Sequence, residues 1–161
     1  MNFKKAGAMG VLLLIVAISW SQEPEFRLRD LENTWQEYSD LKGTQLTVID
    51  FWATWCQPCI RSIPLLSEME KEFNSRGVRF IGVSIDGPRN QSKIKPFVQS
   101  LGVEYPIIRD MDSELMSDLG VTAVPTLLLY DAKGELLFFH EGFRPGDEEI
   151  IRDHIEKHLV K

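Results

Sequence analysis

Leu46-Thr47-Val48-Ile49-Asp50-Phe51-Trp52-Ala53-Thr54-Trp55-Cys56-Gln57-Pro58-Cys59 decides how this chain is read. The segment 46–52 is apolar and β-branched except at Thr47 and Asp50, the composition of a buried strand. Beyond it, Ile60, Ile63, Leu66, Met69 and Phe73 recur at helical spacing, so the junction between strand and helix falls at Cys56. A helix N-terminus presents free backbone N–H groups and the positive end of the helix dipole, both of which favour a thiolate over a thiol. Cys56 and Cys59 are the only two cysteines in 161 residues. Held on one helical turn, they can close a disulfide and open it again. The pattern implies thiol–disulfide exchange, with the Cys56–Cys59 pair itself as the redox centre and no added cofactor.

Two other uses of a Cys-x-x-Cys pair fit less well. Structural zinc takes four ligands, usually two such pairs or a pair with clustered histidines. Here there is no second pair, and His140, His154 and His158 all lie far downstream. A purely structural disulfide across so short a loop constrains the unfolded chain little. A chain of this length with 43% hydrophobic residues can also build an ordinary core without a staple.

Phe51-Trp52-Ala53-x-Trp55-Cys56-x-Pro58-Cys59 resembles the thioredoxin superfamily, and the likeness extends to Pro64 in the helix and to Val124-Pro125-Thr126. It implies a thioredoxin fold, a central mixed α/β sheet flanked by helices. It also implies a cis peptide bond at Pro125, with Val124 and Pro125 lying against the cysteines. The distance from Cys59 to Pro125 is longer than in plain thioredoxin by one helix and one strand, visible between Asn90 and Asp110. That insert, with an apolar N-terminal segment, resembles the membrane-associated, TlpA-like branch related to cytochrome c biogenesis. The resemblance covers the chain from about Phe26 to Lys161.

The same resemblance assigns roles to particular residues. Cys56 would attack a substrate disulfide, and Cys59 would resolve the mixed disulfide. Asp50 occupies the place of the buried thioredoxin aspartate. Burial would disfavour its charge and raise its pKa, poising it to take the Cys59 proton. Plain thioredoxin pairs that acid with a lysine on the next strand, where this chain has Gly82. The branch's additional glutamate near the start of the insert is also missing, since Gly87-Pro88-Arg89 stands there. Trp55 is expected to shield the Cys56 sulfur at the surface and Trp52 to pack in the core. The backbone of Val124 would pair with an extended substrate segment.

Residues 1–21 read differently from the rest. Lys4 and Lys5 are their only charges, and Ala6 to Trp20 is apolar apart from Ser19. A basic start, a short apolar run and small residues at Ser19 and Ser21 describe a signal peptide, or an uncleaved N-terminal membrane anchor. Residues 22–161 then form the thioredoxin-like domain, exported to the periplasm or the outer side of the cytoplasmic membrane. The expected partners are a disulfide-containing client protein and a membrane-bound electron donor, because a dithiol in an oxidising compartment must be recharged. The net charge of −6 offers no basic footprint for nucleic acid, and a monomer is expected. A disulfide-forming oxidase on the same fold, or a non-enzymatic redox-sensing or copper-delivery module, remain the rival functions.

Further along, 26–31 suggests an edge strand, 34–43 a loop and Val78 to Ile85 a second buried strand. The turn Asp86-Gly87-Pro88 leads to an insert helix capped by Ser92, with Pro96 in its first turn. Tyr105 to Arg109 reads as a short strand, and Ser113 as the cap of a helix ended by Gly120. Thr126 to Tyr130 and Glu135 to Phe139 form a hairpin. Asp147 is expected to cap a last helix burying Ile151, Ile155 and Leu159, with His154 and His158 on its solvated face. Trp35 is expected at the core edge.

Overall fold

All seven residues of one strand, Leu46–Trp52 (β3), are buried, because it lies inside a sheet covered on both faces. The computed structural model describes residues 23–159; the expected targeting or anchor segment, 1–21, lies outside them. β3 pairs in parallel with Val78–Ser84 (β4) and antiparallel with Thr126–Asp131 (β6). β4 continues in parallel to Ile107–Arg109 (β5), which is followed antiparallel by Arg27–Asp30 (β1) and then Trp35–Glu37 (β2). On the other side, Leu136–Glu141 (β7) closes a hairpin with β6. The spatial order is β2-β1-β5-β4-β3-β6-β7, a mixed α/β sheet of thioredoxin type with the inserted helix and strand in place.

Side chains alternate across a strand, so β3 feeds two cores. Leu46, Val48 and Trp52 pack with Ile63, Leu66, Met69 and Phe73 of the helix Gln57–Phe73 (α2). The same layer takes Ile94 and Val98 of Gln91–Ser100 (α3), and Ile151 and Ile155 of Asp147–His158 (α5). Ile49 and Phe51 face the opposite layer. There they meet Tyr38 of the short helix Tyr38–Leu41 (α1) and Leu115 and Met116 of Glu114–Asp118 (α4). Burying each large apolar side chain contributes roughly 1.5–3 kcal/mol. Asp50, sharing the parity of Val48 and Trp52, therefore points toward α2.

Several local expectations are corrected. Residues 34–43 are not a loop: they hold β2 and α1. The Asp30 carboxylate organises this turn, accepting the Glu32 and Thr34 N–H groups and the Gln36 amide. Trp35 is half exposed, and its ring lies under the guanidinium groups of Arg27 and Arg29 at 4.9 and 4.0 Å. A three-residue strand is too short to show a period in sequence. α3 begins at Gln91, so Ser92 is not its cap, and Pro96 sits in its interior. The proline is tolerated because it is on the exposed face, where the carbonyl it leaves unpaired meets water. The strand expected at 105–109 begins at Ile107. Asp147 is the first residue of α5 rather than its cap, and its carboxylate accepts the Arg144 N–H and faces His140 Nε2 at 3.0 Å. His154 does not lie free on a solvated face; its ring stacks on Phe138 at 3.8 Å. Ile151, Ile155 and Leu159 are buried as expected.

The cap of α4 is likewise displaced. Ser113 holds the cap position at φ +60°, yet its side chain makes no cap hydrogen bond. The buried Asp110 does so from three residues upstream, accepting the N–H groups of Leu115 and Met116 at 3.2 and 2.8 Å. Asp110→Ala should lower the unfolding free energy by about 2 kcal/mol. Ser113→Gly should leave it unchanged or raised, since its backbone conformation suits glycine. Urea unfolding of both variants checks this; an equal loss in the two would return the capping role to Ser113.

Candidate active site

β3 ends at Trp52, and Cys56 caps the N-terminus of α2, its sulfur accepting the Cys59 N–H at 3.3 Å. Pro58 follows within the first turn, where no intrahelical N–H is needed. The two cysteines are joined as a disulfide with an S–S distance of 2.05 Å. Cys56 retains 4% of its surface and Cys59 none. An incoming sulfur can therefore reach Cys56 and not Cys59, the asymmetry an attacking and a resolving sulfur require.

The loop carrying Cys56 is tied to the end of β4. The Asp86 carboxylate, fully buried, accepts the Thr54 N–H at 2.9 Å, the Thr54 hydroxyl at 2.6 Å and the Ser84 hydroxyl at 2.9 Å. Gln91, at the start of α3, donates its side-chain amide to the Asp86 carbonyl. The insert helix is thus fastened to the same loop. Sequence reasoning took Asp86 only as part of a turn. The available signal was an acid two residues after a serine at the end of a buried strand, beside the strand that delivers the cysteines. Residues 87–89 carry no acid, and a short 3₁₀ turn, Pro88–Asn90, occupies that stretch.

Asp50 lies in register with Gly82 of β4 and Leu127 of β6. It is buried, and its Oδ2 has no hydrogen-bond partner among the described residues. Desolvation pushes its pKa up to about 8. Trp52 is fully buried and stacks on Phe97 at 5.4 Å, as a core residue should. Trp55, by contrast, is 59% exposed beside Cys56. The Val124–Pro125 bond is cis. Thr126 donates its hydroxyl to the Ala123 carbonyl and Gly142 its N–H to the Pro125 carbonyl, both at 2.8 Å. These bonds bracket Val124, whose own main chain makes no hydrogen bond among the described residues. Six expected site residues thus occupy one end of the sheet or the layer beneath it.

Among the described residues no group of three or more His, Cys, Asp and Glu side chains is placed to hold a metal ion. His154 and His158 lie on α5, where the His154 ring stacks on Phe138 of β7. Nor is any helix there long and apolar enough to cross a membrane.

The raised pKa of Asp50 has a stability consequence with a definite sign. The folded chain holds a proton that the unfolded chain releases near pH 4. This contribution is complete below pH 4 and is lost as pH rises toward 8, at up to about 1.4 kcal/mol per pH unit. Asp50→Asn removes that loss. Urea unfolding of the oxidised proteins at pH 5, 6, 7 and 8 should show the variant gaining on the parent with each step. Parallel stability curves would show that Asp50 titrates normally.

The chain matches the AhpC/TSA family over residues 21–139. The thiol–disulfide oxidoreductase ResA of Bacillus subtilis is 32% identical over 141 residues, covering 88% of this chain and 75% of that protein. ResA of Geobacillus thermodenitrificans is 29% identical, covering 84% and 75%. Among solved structures, a protein assigned as thiol:disulfide interchange protein DsbE from Chlorobium tepidum is 29% identical with a TM-score of 0.78, over 85% of this chain and 94% of that one. Sequence, fold and the placement of the cysteine pair agree, and the chain belongs to the AhpC/TSA family, among its thioredoxin-like thiol–disulfide oxidoreductases.

Proposed function

We propose that this thiol–disulfide oxidoreductase works outside the cytoplasm as a reductase of protein disulfides, with cytochrome c maturation as its process. The observation that carries the exchange chemistry is the Cys56–Cys59 pair at the N-terminus of α2, with the remaining exposure on Cys56 alone. The Cys56 thiolate attacks one sulfur of the client disulfide; that S–S bond breaks, a client thiolate leaves and a mixed disulfide forms. Cys59 loses its proton to Asp50 and attacks Cys56, releasing the second client thiolate. Two electrons have then passed to the client, and the pair is oxidised. A membrane-bound dithiol donor returns them. No bound cofactor is called for.

Val124 supports docking of an extended client segment, because its free main-chain groups stand at the edge of the site. Trp55 adds an apolar surface beside the attacking sulfur. The reductive direction is supported by Gln57-Pro58, which places no histidine beside Cys56 to stabilise a thiolate. Strong oxidants of this fold are strong because their reduced form is stabilised.

In insulin reduction Cys56→Ser should be inactive, whereas Cys59→Ser should accumulate mixed disulfides it cannot resolve. Redox titration of the parent against glutathione should place the pair on the order of −200 to −270 mV. A value near −120 mV, that of a strong oxidase, would reverse the direction of electron flow. Trapping by Cys56→Ser instead of Cys59→Ser would exchange the roles of the two sulfurs.

Export rests on residues 1–21, where two lysines precede an apolar run. Fused after residue 30, a phosphatase that needs an oxidising compartment should be active. A cytoplasmic reporter at the same position should gain nothing from export, and an active exported enzyme with the segment deleted would remove this assignment.

A further inference from the structure

Asp50 Oδ2, Trp52 Nε1 and the Tyr105 hydroxyl are three of the buried polar atoms that have no hydrogen-bond partner among the described residues. They gather around Gly82. This glycine pairs with Asp50 on one side and with Ile107 on the other. Its N–H donates to the Pro106 carbonyl at 2.9 Å, which draws the segment carrying Tyr105 over it. A Cβ on Gly82 would stand 3.1 Å from both Trp52 Nε1 and Tyr105 Cε2, and 2.4 Å from Ile107 Cδ1. The indole N–H and the phenol edge therefore flank one point, directly across the register from the Asp50 carboxyl.

Leaving three such groups unpaired in a core is costly, and their chemistries are complementary. An indole N–H only donates. A carboxylate only accepts, and a carboxylic acid also has one proton to give. A phenol does both. Tyr105 remains a neutral phenol, since burial first, and then the charges of Asp50 and Glu70, hold its pKa well above the ordinary value. Its ring packs against Phe80 at 6.1 Å.

We propose that Tyr105 is a positioning residue for Asp50: its hydroxyl and the Trp52 indole N–H hold the Asp50 carboxyl across Gly82 through one bridging water. Through that water the hydroxyl donates to the carboxylate and, after rotation about its C–O bond, accepts from the carboxylic acid. Tyr105 keeps its own proton throughout; the proton gained by Asp50 is the one lost by Cys59. The catalytic value of this arrangement rests on Asp50 acting as that acceptor, but the hydrogen bonds themselves do not. Other titratable groups of this layer are Cys59 and Glu70 on α2, Arg109 on β5 and His154 on α5. The strand neighbours of Asp50 are Gly82 and Leu127, and the α3 lysines 93 and 95 are exposed.

The test follows the Asp50 side-chain carboxyl by carbon NMR against pH in the oxidised protein, where neither cysteine titrates. Tyr105→Phe removes one hydroxyl and keeps the ring. Losing a donor to the carboxylate, Asp50 should titrate about one pH unit higher. An unchanged midpoint in a folded Tyr105→Phe protein overturns the proposal. Should that variant fail to fold, the Trp52 indole N–H resonance of the parent decides. It should move with the Asp50 midpoint, and Asp50→Asn should abolish the movement; a resonance that ignores the titration overturns the proposal. Resolution of the mixed disulfide in Asp50→Asn is measured separately. An unaltered rate there defeats Asp50 as proton acceptor and leaves the NMR result standing.

Discussion

Burial of β3 on both faces is the constraint from which the site follows. A strand covered on two sides must pair on both edges, and its register is then fixed, because a slip of one residue would move every side chain to the other layer. β4 runs parallel to it and β6 antiparallel. The C-terminal ends of β3 and β4 and the N-terminal end of β6 consequently meet at one edge. The first delivers Trp55 and Cys56, the second Ser84 and Asp86, and the third Val124 and Pro125. The hydrogen bonds from Thr54 to Asp86 then fix the one segment that β3 itself does not hold.

What was legible in sequence was what a period or a special residue type writes down. The apolar run at 46–52, the helical spacing from Ile60 to Phe73 and the buried stripe Ile151-Ile155-Leu159 all carry their own burial pattern. The place of Cys56 at the strand-to-helix junction followed from the first two. Likeness to a family supplied the bend at Val124-Pro125, which no periodicity encodes. The misses share a cause. β2 is three residues long, and α1 four, lengths over which neither a two-residue nor a 3.6-residue period can be recognised.

The capping errors are of a second kind. Ser113 and Asp147 are the residue types that favour caps, at plausible positions, but capping depends on which oxygen reaches the orphan N–H groups. At α4 that oxygen belongs to Asp110, held rigidly at the end of β5. At α5 the Asp147 carboxylate turns back to Arg144 and His140 instead. Asp86 is the functional counterpart of the same difficulty. Its partners lie 32 residues away in Thr54 and two away in Ser84, and only the parallel pairing of β3 with β4 brings both to one carboxylate.

Gly82 determines the electrostatic character of the interior beneath the cysteines. A lysine at that place would hold Asp50 charged and its pKa low, as an ion pair does. Gly82 instead lets Ile107, the Trp52 indole and the Tyr105 ring close over that place, so no opposite charge offsets the desolvation of Asp50. With a pKa of about 8, roughly a tenth of the Asp50 carboxyl is ionised at pH 7. That fraction is small, but a base is most effective when its affinity for the proton lies near that of the group giving it up. A cysteine thiol ordinarily titrates close to pH 8.5. A fully ionised carboxylate of ordinary pKa would be present more often and would take that proton far less readily. In the mechanism we propose, the buried acid thus trades stability toward neutral pH for a proton affinity near that of an ordinary thiol.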